Sequence, residues 1–285
     1  MSKVVVALDG GLGNQMFQYA AGRALALRLD KPMALDAGKL ARRNQRTYGL
    51  GDFQLRAHSE LISERTPTRW GKLGRWFGKL AKADRTFREA SFAFDERIRH
   101  LKAPARLEGY FQSERYFMDA APFIRDDFRP REELRAGLDS LAAELLPEGA
   151  SISLHVRRGD YADPAVMAVH GLAERDYYER ALRVIAERGA KGVVCVFTDD
   201  PAWVRANLPL PTGTRFISER TRSALEDLIL MSRCTHHITA NSSFSWWGAW
   251  LNPRPEKIVV TPERWFQPSA GLDTRDLKPA GWLQA

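Results

Sequence analysis

The chain has 285 residues, of which 44% are hydrophobic and 27% are charged; this is typical of a soluble globular protein with room for two domains. No apolar run is long enough to span a membrane, and the first one, Val4 to Leu8, is too short for a signal peptide. The formal net charge of +8 favours an anionic partner: a nucleotide, a nucleic acid or a membrane surface. Cys195 and Cys234 are too few for a disulfide framework and favour a reducing cytoplasm.

A glycine-rich turn follows the first predicted strand and precedes a predicted helix. Gly11 and Gly13 lie in this turn, next to Asn14. A strand, a glycine turn and a helix in that order can bring backbone N–H groups close to a phosphate or sugar oxygen. The spacing matches neither the dinucleotide fingerprint nor the P-loop, and the P-loop lysine is missing. Two interpretations stay open here, a ligand-binding loop and an ordinary tight turn.

Residues 70–88 differ in composition from the rest of the chain. Basic residues such as Arg75 alternate with aromatic residues such as Trp70, Trp76 and Phe87. The interpretation we favour is a surface helix whose aromatic side chains pack into its own domain. The second is an amphipathic helix in peripheral contact with an anionic membrane, and the third is binding of single-stranded nucleic acid.

A helix is predicted over residues 131–146, because leucines recur there at helical spacing. They are Leu134, Leu138, Leu141 and Leu145. Pro147 and Gly149 follow and end the helix. We place the domain boundary at this point, which gives domains of residues 1–148 and 149–285.

Strands and amphipathic helices alternate along the whole chain. Strands are predicted at Lys3–Leu8, Val193–Phe197, His236–Thr239 and Lys257–Val260, with helices between them. This alternation predicts an α/β fold with mostly parallel sheets that are covered on both faces.

The most informative stretch begins with a predicted buried strand that starts at Ser151. Two arginines, Arg157 and Arg158, follow this strand, and Gly159 allows the backbone to turn. Guanidinium groups at the carboxyl end of a strand are well placed to bind a diphosphate, because each offers a planar fork of donors. A solvated arginine pair at the start of a loop is the alternative. The neighbouring His155 and Asp160 and the apolar strand favour the binding interpretation.

Ligands in parallel sheets bind at the carboxyl ends of the strands, and three polar sets fall at such ends. They are His155 with Arg157, Arg158 and Asp160; Thr198 with Asp199 and Asp200; and Asn241 with Ser242 and Ser243. The serines open a predicted helix, so their hydroxyls, the free N–H groups and the helix dipole can meet a phosphate. Together the sets predict a pocket for an anionic nucleotide.

Two acidic features have competing interpretations. Asp227, just inside a predicted helix, either accepts hydrogen bonds from the N–H groups of a guanine or is an ordinary exposed helix acid. Asp199 and Asp200 suggest a metal, but no other acid or histidine stands at ligand spacing, so we predict no metal. Arg157 and Arg158 can neutralise a diphosphate in its place.

Five segments together carry a family resemblance. They are GGLGNQMFQYAAGRALA (10–26), GYFQSERYF (109–117), HVRRGDY (155–161), FTDDPAW (197–203) and DLILMSRCTHHITANSSFSWWGAWLNP (227–253). The chain resembles the bacterial α-1,2-fucosyltransferases of glycosyltransferase family 11 over nearly its whole length. The third and fifth segments together are highly specific, whereas GGLGNQ is shared with other fucosyltransferases. The match is weakest over about residues 57 to 100.

The resemblance implies a GT-B-like fold in which two Rossmann-like domains face a cleft, the first on the acceptor side and the second binding the GDP-sugar. It implies inverting, metal-independent transfer of L-fucose from GDP-β-L-fucose to the 2-hydroxyl of a galactose-type acceptor. The expected partners are GDP-fucose and a galactose-terminated glycan in surface glycan synthesis, with no nucleic acid. The expected location is the cytoplasm, including a peripheral position at the inner face of the bacterial membrane.

The resemblance also implies roles for single residues. Arg157 or Arg158 holds the pyrophosphate, assisted by Ser242 and Ser243. Asp227 and His155 correspond to guanosine contacts, and Asn14 lies near the reacting centre.

Inversion requires a base that takes the proton of the acceptor hydroxyl. Asp160 is the first candidate because it follows the arginine pair, and Asp9 and His170 are the others. Asp160 can instead brace an arginine through a salt bridge. Three rival functions remain: transfer of another GDP-deoxysugar such as colitose, non-catalytic binding of a nucleotide sugar, and binding of nucleic acid.

Replacement of Asp160 by asparagine separates the two roles, because asparagine keeps the size of the side chain but cannot accept the proton. If Asp160 is the base, kcat falls roughly 10²–10⁴-fold while GDP affinity stays unchanged. If it braces an arginine, GDP affinity falls as well. Transfer kinetics beside calorimetry with GDP measure both quantities, and full activity of the variant would remove Asp160 from both roles.

Overall fold

The computed structural model describes residues 3–42, 47–56, 59–62, 86–159 and 164–285. The chain divides into two units, Met1–Arg129 with Arg275–Leu277, and Pro130–Thr274 with Lys278–Ala285. Each unit contains its own parallel sheet. Among the described residues, no helix combines the length and the apolar character needed to cross a membrane.

The first unit is built on a five-stranded sheet in the order β3-β2-β1-β5-β4, and all its neighbouring strands are parallel. The strands are β1 (Val4–Ala7), β2 (Met33–Asp36), β3 (Ser59–Ile62), β4 (Thr86–Arg88) and β5 (Arg106–Glu108). The helices are α1 (Leu12–Leu29), α2 (Gly38–Arg42) and α3 (Ala121–Asp127), with short 3-10 turns at Leu50–Asp52, Glu96–His100, Glu114–Tyr116 and Met118–Ala120.

Helix α1 lies very close to the sheet of the first unit, and a glycine permits this. A Cβ atom on Gly22 would stand 2.2 Å from Cγ2 of Val6 and 3.0 Å from the sulfur of Met33. The β-branched residues of β1 form the buried strand beneath it. This contact holds the middle of α1 against β1 and β2.

The second unit is built on a six-stranded sheet in the order β11-β10-β9-β6-β7-β8, again with parallel neighbours. The strands are β6 (Ser151–Val156), β7 (Val193–Thr198), β8 (Arg215–Phe216), β9 (His236–Ile238), β10 (Val259–Thr261) and β11 (Leu283–Gln284). The helices are α4 (Glu132–Leu145), α5 (Pro164–His170), α6 (Arg175–Glu187), α7 (Pro201–Asn207), α8 (Ala224–Arg233) and α9 (Ser243–Leu251), with a 3-10 turn at Pro268–Ala270.

Helix α4 belongs to the second compact unit, whereas the predicted boundary after residue 148 places it in the first domain. Its buried Leu145 lies in an apolar cluster with Phe197 of β7 and Leu230 of α8, and Leu141 packs against the same cluster. The leucine stripe was correctly predicted as a helix. Pro147 marks only the end of that helix, and the division between the units falls before it, at Arg129 and Pro130.

A buried polar network holds strand β9 in register beside β6. Nε2 of His237 accepts a hydrogen bond from the Asn252 amide at 2.8 Å, so Nδ1 carries the proton and bonds to Oγ of Ser153, also at 2.8 Å. Burial, followed by the charge of Lys257, holds the pKa of His237 well below its usual value, and the ring stays neutral. The network thus anchors both β9 and the end of α9.

The basic aromatic stretch 70–88 coincides with the described residues only at β4. The remainder lies outside them, so its three interpretations stay predictions.

Candidate active site

The carboxylate of Asp199, just beyond β7, holds the residues that follow β6. Its Oδ2 lies 2.9 Å from Nη1 of Arg157, and its Oδ1 accepts the backbone N–H of Arg158 at 2.8 Å. A Cβ atom on Gly159 would stand only 2.6 Å from Oδ2 of Asp199, so glycine is needed for this close approach. The ends of two neighbouring parallel strands are therefore joined at the point where both arginines begin.

The guanidinium of Arg158 is oriented by an aromatic ring and a second acid. Its central carbon lies 4.0 Å from the ring centroid of Trp203, and its Nε lies 3.7 Å from Oδ2 of Asp200. The side chain is 19% exposed. Its Nη1 is buried and has no hydrogen-bond partner among the described residues. An oriented donor with no internal partner is suited to an anionic ligand, because leaving it unpaired is costly.

A chain of hydroxyl contacts connects the end of β7 to helix α8. The backbone N–H of Thr198 donates to Oγ of Ser218 at 3.1 Å, and that hydroxyl donates to Oδ2 of Asp227 at 2.8 Å. The hydroxyl of Thr221 donates to Oδ1 of Asp227 at 2.6 Å. Burial raises the pKa of Asp227, while the two hydroxyls oppose this effect. Asp227 is thus half-buried rather than an exposed helix acid, and each oxygen can still accept a further bond.

The start of helix α9 offers backbone donors beside these residues. Ser242 is the N-cap, and its Oγ accepts the N–H of Phe244 at 3.3 Å. Ser243 is the first residue of the helix, where the positive end of the helix dipole favours an anion. The amide nitrogen of Asn241 donates to the carbonyls of His170 and Gly171 at 2.9 and 3.3 Å, so it holds the end of α5 in place.

His155 is a buried neutral ring between β6 and α9. Its ring centroid lies 5.7 Å from that of Phe244. Burial, and then the nearby charge of Arg157, lower its pKa to about 3. Its Nδ1 is buried and has no partner within the part of the chain that the structure describes. A neutral imidazole here can exchange hydrogen bonds with a nucleoside but carries no charge for a phosphate.

The glycine turn of the first unit is tied to the loop after β5. Oε1 of Gln18 accepts the N–H of Asp9, and its Nε2 donates to the carbonyl of Gly109, both at 3.0 Å. Nε2 of Gln112 donates to Oδ1 of Asn14 at 2.8 Å. Gly11 is the N-cap of α1, so Asn14 projects from the first turn of that helix.

The structure brings the predicted residues together in two groups. At the carboxyl edge of the second sheet lie His155, Arg157, Arg158, Thr198, Asp199, Asp227, Asn241, Ser242 and Ser243. Gly11, Gly13 and Asn14 lie at the corresponding edge of the first sheet. Asp160 lies outside the described residues, so its role stays a prediction. In the described ranges, no group of three or more His, Cys, Asp or Glu side chains is arranged to hold a metal ion.

Several contributors were not predicted, among them Trp203, Gln112 and Ser218. Trp203 and Gln112 lie within two of the family segments. Their ring and carboxamide could have marked them as candidate site residues. Ser218 follows a strand of only two residues and has no motif around it. The contacts of Ser218 depend on how β7, β8 and α8 pack, which the sequence alone does not give.

Solved structures define the class of fold. The chain is similar to the fucosyltransferase NodZ from Bradyrhizobium, with a TM-score of 0.55 and 19% identity over 91% of this chain and 94% of that one. It is also similar to a variant of Arabidopsis thaliana FUT1 in complex with GDP, with a TM-score of 0.51 and 14% identity over 99% of this chain and 76% of that one. The predicted GT-B-like α/β fold is thereby confirmed.

Sequence comparisons give the family. The model of Glycosyl transferase family 11 matches residues 88–283. An Escherichia coli alpha-1,2-colitosyltransferase is 32% identical over 100% of this chain and 99% of its own length. The Escherichia coli O-antigen biosynthesis glycosyltransferase WbnK is 34% identical, covering 97% of this chain and 98% of its own. The galactoside alpha-(1,2)-fucosyltransferase 2 of Oryctolagus cuniculus is 26% identical over 96% of this chain and 77% of its own. The chain belongs to glycosyl transferase family 11 and is an enzyme.

Replacement of Arg158 by alanine tests the oriented guanidinium. We expect turnover to fall roughly 10²–10³-fold and GDP affinity to fall with it, because a charge-assisted contact to the leaving group is lost. Lysine rescues poorly, since it lacks the planar fork. Arg205→Ala is the matched control: Arg205 also stacks on a ring and pairs with an acid, but both terminal nitrogens are occupied by Glu219. Near-native GDP affinity of Arg158→Ala by calorimetry would place the diphosphate elsewhere.

The low pKa of His155 makes the fold sensitive to acid. The pKa of this ring is near 6.5 in the unfolded chain and about 3 in the folded chain. Between these two pH values, the unfolded chain binds a proton at His155 and the folded chain does not. The effect of His155 on the free energy of unfolding is therefore absent above pH 6.5. As the pH drops below this, protonation of the unfolded chain lowers the free energy of unfolding by at most about 1.4 kcal/mol per pH unit. We expect His155→Gln to lose less stability than the parent between pH 7 and pH 4.5 in urea unfolding. Equal losses would show that His155 does not titrate this way.

Proposed function

We propose that the enzyme transfers a deoxysugar from a GDP-activated donor to the 2-hydroxyl of a galactose-type acceptor, with inversion at the anomeric carbon. L-Fucose from GDP-β-L-fucose is the first candidate donor. The observation that carries the proposal is the oriented Arg158 guanidinium, with a nitrogen that has no partner in the described chain, at the same sheet edge as the start of α9. Membership of glycosyl transferase family 11 supports it.

The leaving GDP is stabilised by charge and by backbone donors. Arg158 offers its fork to the diphosphate, and Arg157 adds a second positive charge. Ser242 and Ser243 contribute hydroxyls and the helix N-terminus. These groups are held in place before the sugar leaves, so they cost little reorganisation as negative charge develops on the diphosphate. The proposed transfer therefore proceeds without a metal ion.

The guanine is recognised by Asp227. In its ionised form, a carboxylate accepts two parallel hydrogen bonds from the adjacent ring N–H and amino group of guanine. Adenine has no such pair of donors on one edge, so the contact selects GDP over ADP. Ser218 and Thr221 hold the carboxylate while leaving it further acceptor capacity. His155 contributes a neutral hydrogen-bonding ring on the guanosine side.

The proton of the acceptor hydroxyl goes to Asp160 in this proposal, with Asp9 and His170 as alternatives. The competing role for Asp160 is to brace an arginine. Asp199 and Asp200 already hold Arg157 and Arg158, which supports the role of a base for Asp160.

Colitose is the second candidate sugar. The full-length similarity to an Escherichia coli alpha-1,2-colitosyltransferase favours it. Colitose differs from L-fucose by the absence of one ring hydroxyl, so the two donors present the same GDP to the second unit. The two donors therefore differ only in the contacts that the enzyme can make to the sugar ring. With either sugar, the product is a constituent of a bacterial surface glycan in this proposal.

A transfer assay with both donors tests the function. The protein is incubated with GDP-fucose or GDP-colitose and a β-galactoside, with and without EDTA, and the product linkage is determined by NMR. We expect an α-1,2-linked product whose rate of formation is the same with and without EDTA. Activity that EDTA abolishes and magnesium restores would contradict the metal-free transfer. Absence of product with both donors, in a protein that binds GDP, would leave non-catalytic binding as the function.

A further inference from the structure

The side-chain oxygen of Gln112, in the first unit, can accept a hydrogen bond but receives none from the described residues. Gln112 is 6% exposed, and its Nε2 donates to Oδ1 of Asn14 at 2.8 Å. Its Oε1 is buried and accepts no hydrogen bond from any described residue. A buried acceptor without a donor is costly, because it has given up its hydrogen bonds to water. The neighbouring glutamines differ from it: both ends of Gln18 and both ends of Gln15 are bonded within the protein.

The loop that carries Gln112 is held in a strained conformation. Phe111 has φ of 54°, in the left-handed region that a bulky residue seldom adopts, and it is fully buried. Oε2 of Glu89 accepts the N–H groups of Tyr110 and Phe111 at 2.8 and 2.9 Å, and its Oε1 accepts the Tyr116 hydroxyl at 2.9 Å. Such strain persists only where the surroundings fix it, and it clusters at ligand sites. The loop therefore holds the backbone of Gln112 in one position beside Asn14.

The bond between the two carboxamides settles their orientation. Because Nε2 of Gln112 donates, Oδ1 of Asn14 is the acceptor, and Nδ2 of Asn14 turns towards Gly10. A Cβ atom on Gly10 would stand 2.5 Å from that nitrogen, and the positive φ of 79° also suits glycine. The terminal torsion of a glutamine side chain is soft, so Oε1 can turn to meet a hydroxyl while Nε2 keeps its bond.

The chemistry around this carboxamide favours a neutral sugar over a phosphate. At the same edge of the first sheet, Arg106 is engaged by two carboxylates, those of Asp36 and Glu108. The half-buried rings of Phe92 and Tyr110 stack there, with centroids 5.7 Å apart and planes at 9°. Carboxylates repel a diphosphate but accept hydrogen bonds from sugar hydroxyls, and aromatic rings pack against the apolar face of a pyranose.

We propose that Oε1 of Gln112 accepts a hydrogen bond from a hydroxyl of the acceptor sugar, which makes Gln112 a residue that selects the acceptor. The proposal rests on the transferase function given above and names the residue that binds its second substrate. Gln112 thereby links the acceptor to Asn14, the residue of the glycine turn expected near the reacting centre.

A Gln112→Met variant tests the contact, because methionine matches glutamine in length, but its thioether donates no hydrogen bond and accepts only weakly. Gln54→Met is the matched control: Gln54 is a half-buried glutamine of the same unit, and no hydrogen bond of its side chain is found among the described residues. Kinetics are measured with a galactoside and with its 3-, 4- and 6-deoxy analogues, which keep the reacting 2-hydroxyl, at saturating donor. Calorimetry gives the GDP affinity of each variant.

The expected result has a specific pattern across the analogues. Gln112→Met lowers kcat/KM for the parent galactoside roughly 10- to 100-fold, leaves GDP affinity unchanged, and shows no further loss with the one analogue that lacks the contacted hydroxyl. The unsubstituted enzyme loses a similar factor on that analogue alone. Gln54→Met behaves as the unsubstituted enzyme. An equal loss on every acceptor would indicate a structural role for Gln112 and overturn the proposal, as would a lowered GDP affinity with the KM for the acceptor unchanged.

A binding measurement keeps this test separate from the transfer function. The side-chain amide signal of Gln112, assigned by its disappearance in Gln112→Met, is followed by nitrogen-15 NMR while methyl β-galactoside is added in the presence of GDP. A shift of this signal supports the contact even if neither donor gives a product. If the enzyme is active and the signal does not shift at saturating galactoside, the transfer function stands and the assignment of Gln112 is wrong.

Discussion

The carboxylate of Asp199 is the contact on which the candidate active site depends. With one oxygen it accepts the backbone N–H of Arg158, and with the other it pairs with the side chain of Arg157. Gly159 is needed for the carboxylate to come this close. Because Asp199 follows β7 and the arginines follow β6, one side chain aligns the ends of two parallel strands. The guanidinium of Arg158 can then lie over Trp203 with its fork presented to a ligand.

The two units use the same layout for different chemistry. In the second, the carboxyl edge combines arginines with a helix N-terminus, which suits a diphosphate. In the first, the corresponding edge combines carboxamides, carboxylates and an aromatic pair, and its Arg106 is held between Asp36 and Glu108. That set suits a neutral sugar. We propose on this basis that the second unit binds the nucleotide and the first binds the acceptor.

Much of this could be predicted from the sequence, because the signals are local. The apolar stretch from Ser151 predicted the strand before Arg157, and the positions at the ends of predicted strands identified the three polar sets at one sheet edge. Contacts between distant segments could not be predicted: Ser218 acquires its role only when β8 and α8 pack beside β7, and Gln112 only when its loop meets Asn14. The predicted boundary after residue 148 has the same limitation of local signals, since a proline that ends a helix resembles a linker until the packing of that helix is known.

The most direct measurement is a crystal structure of the enzyme with GDP, grown in the presence of EDTA. The account predicts a diphosphate in contact with the guanidinium of Arg158 and with N–H groups at the start of α9, and a guanine on the carboxylate of Asp227. A diphosphate bound instead at the glycine turn between Gly11 and Asn14 would contradict the assignment of the nucleotide to the second unit.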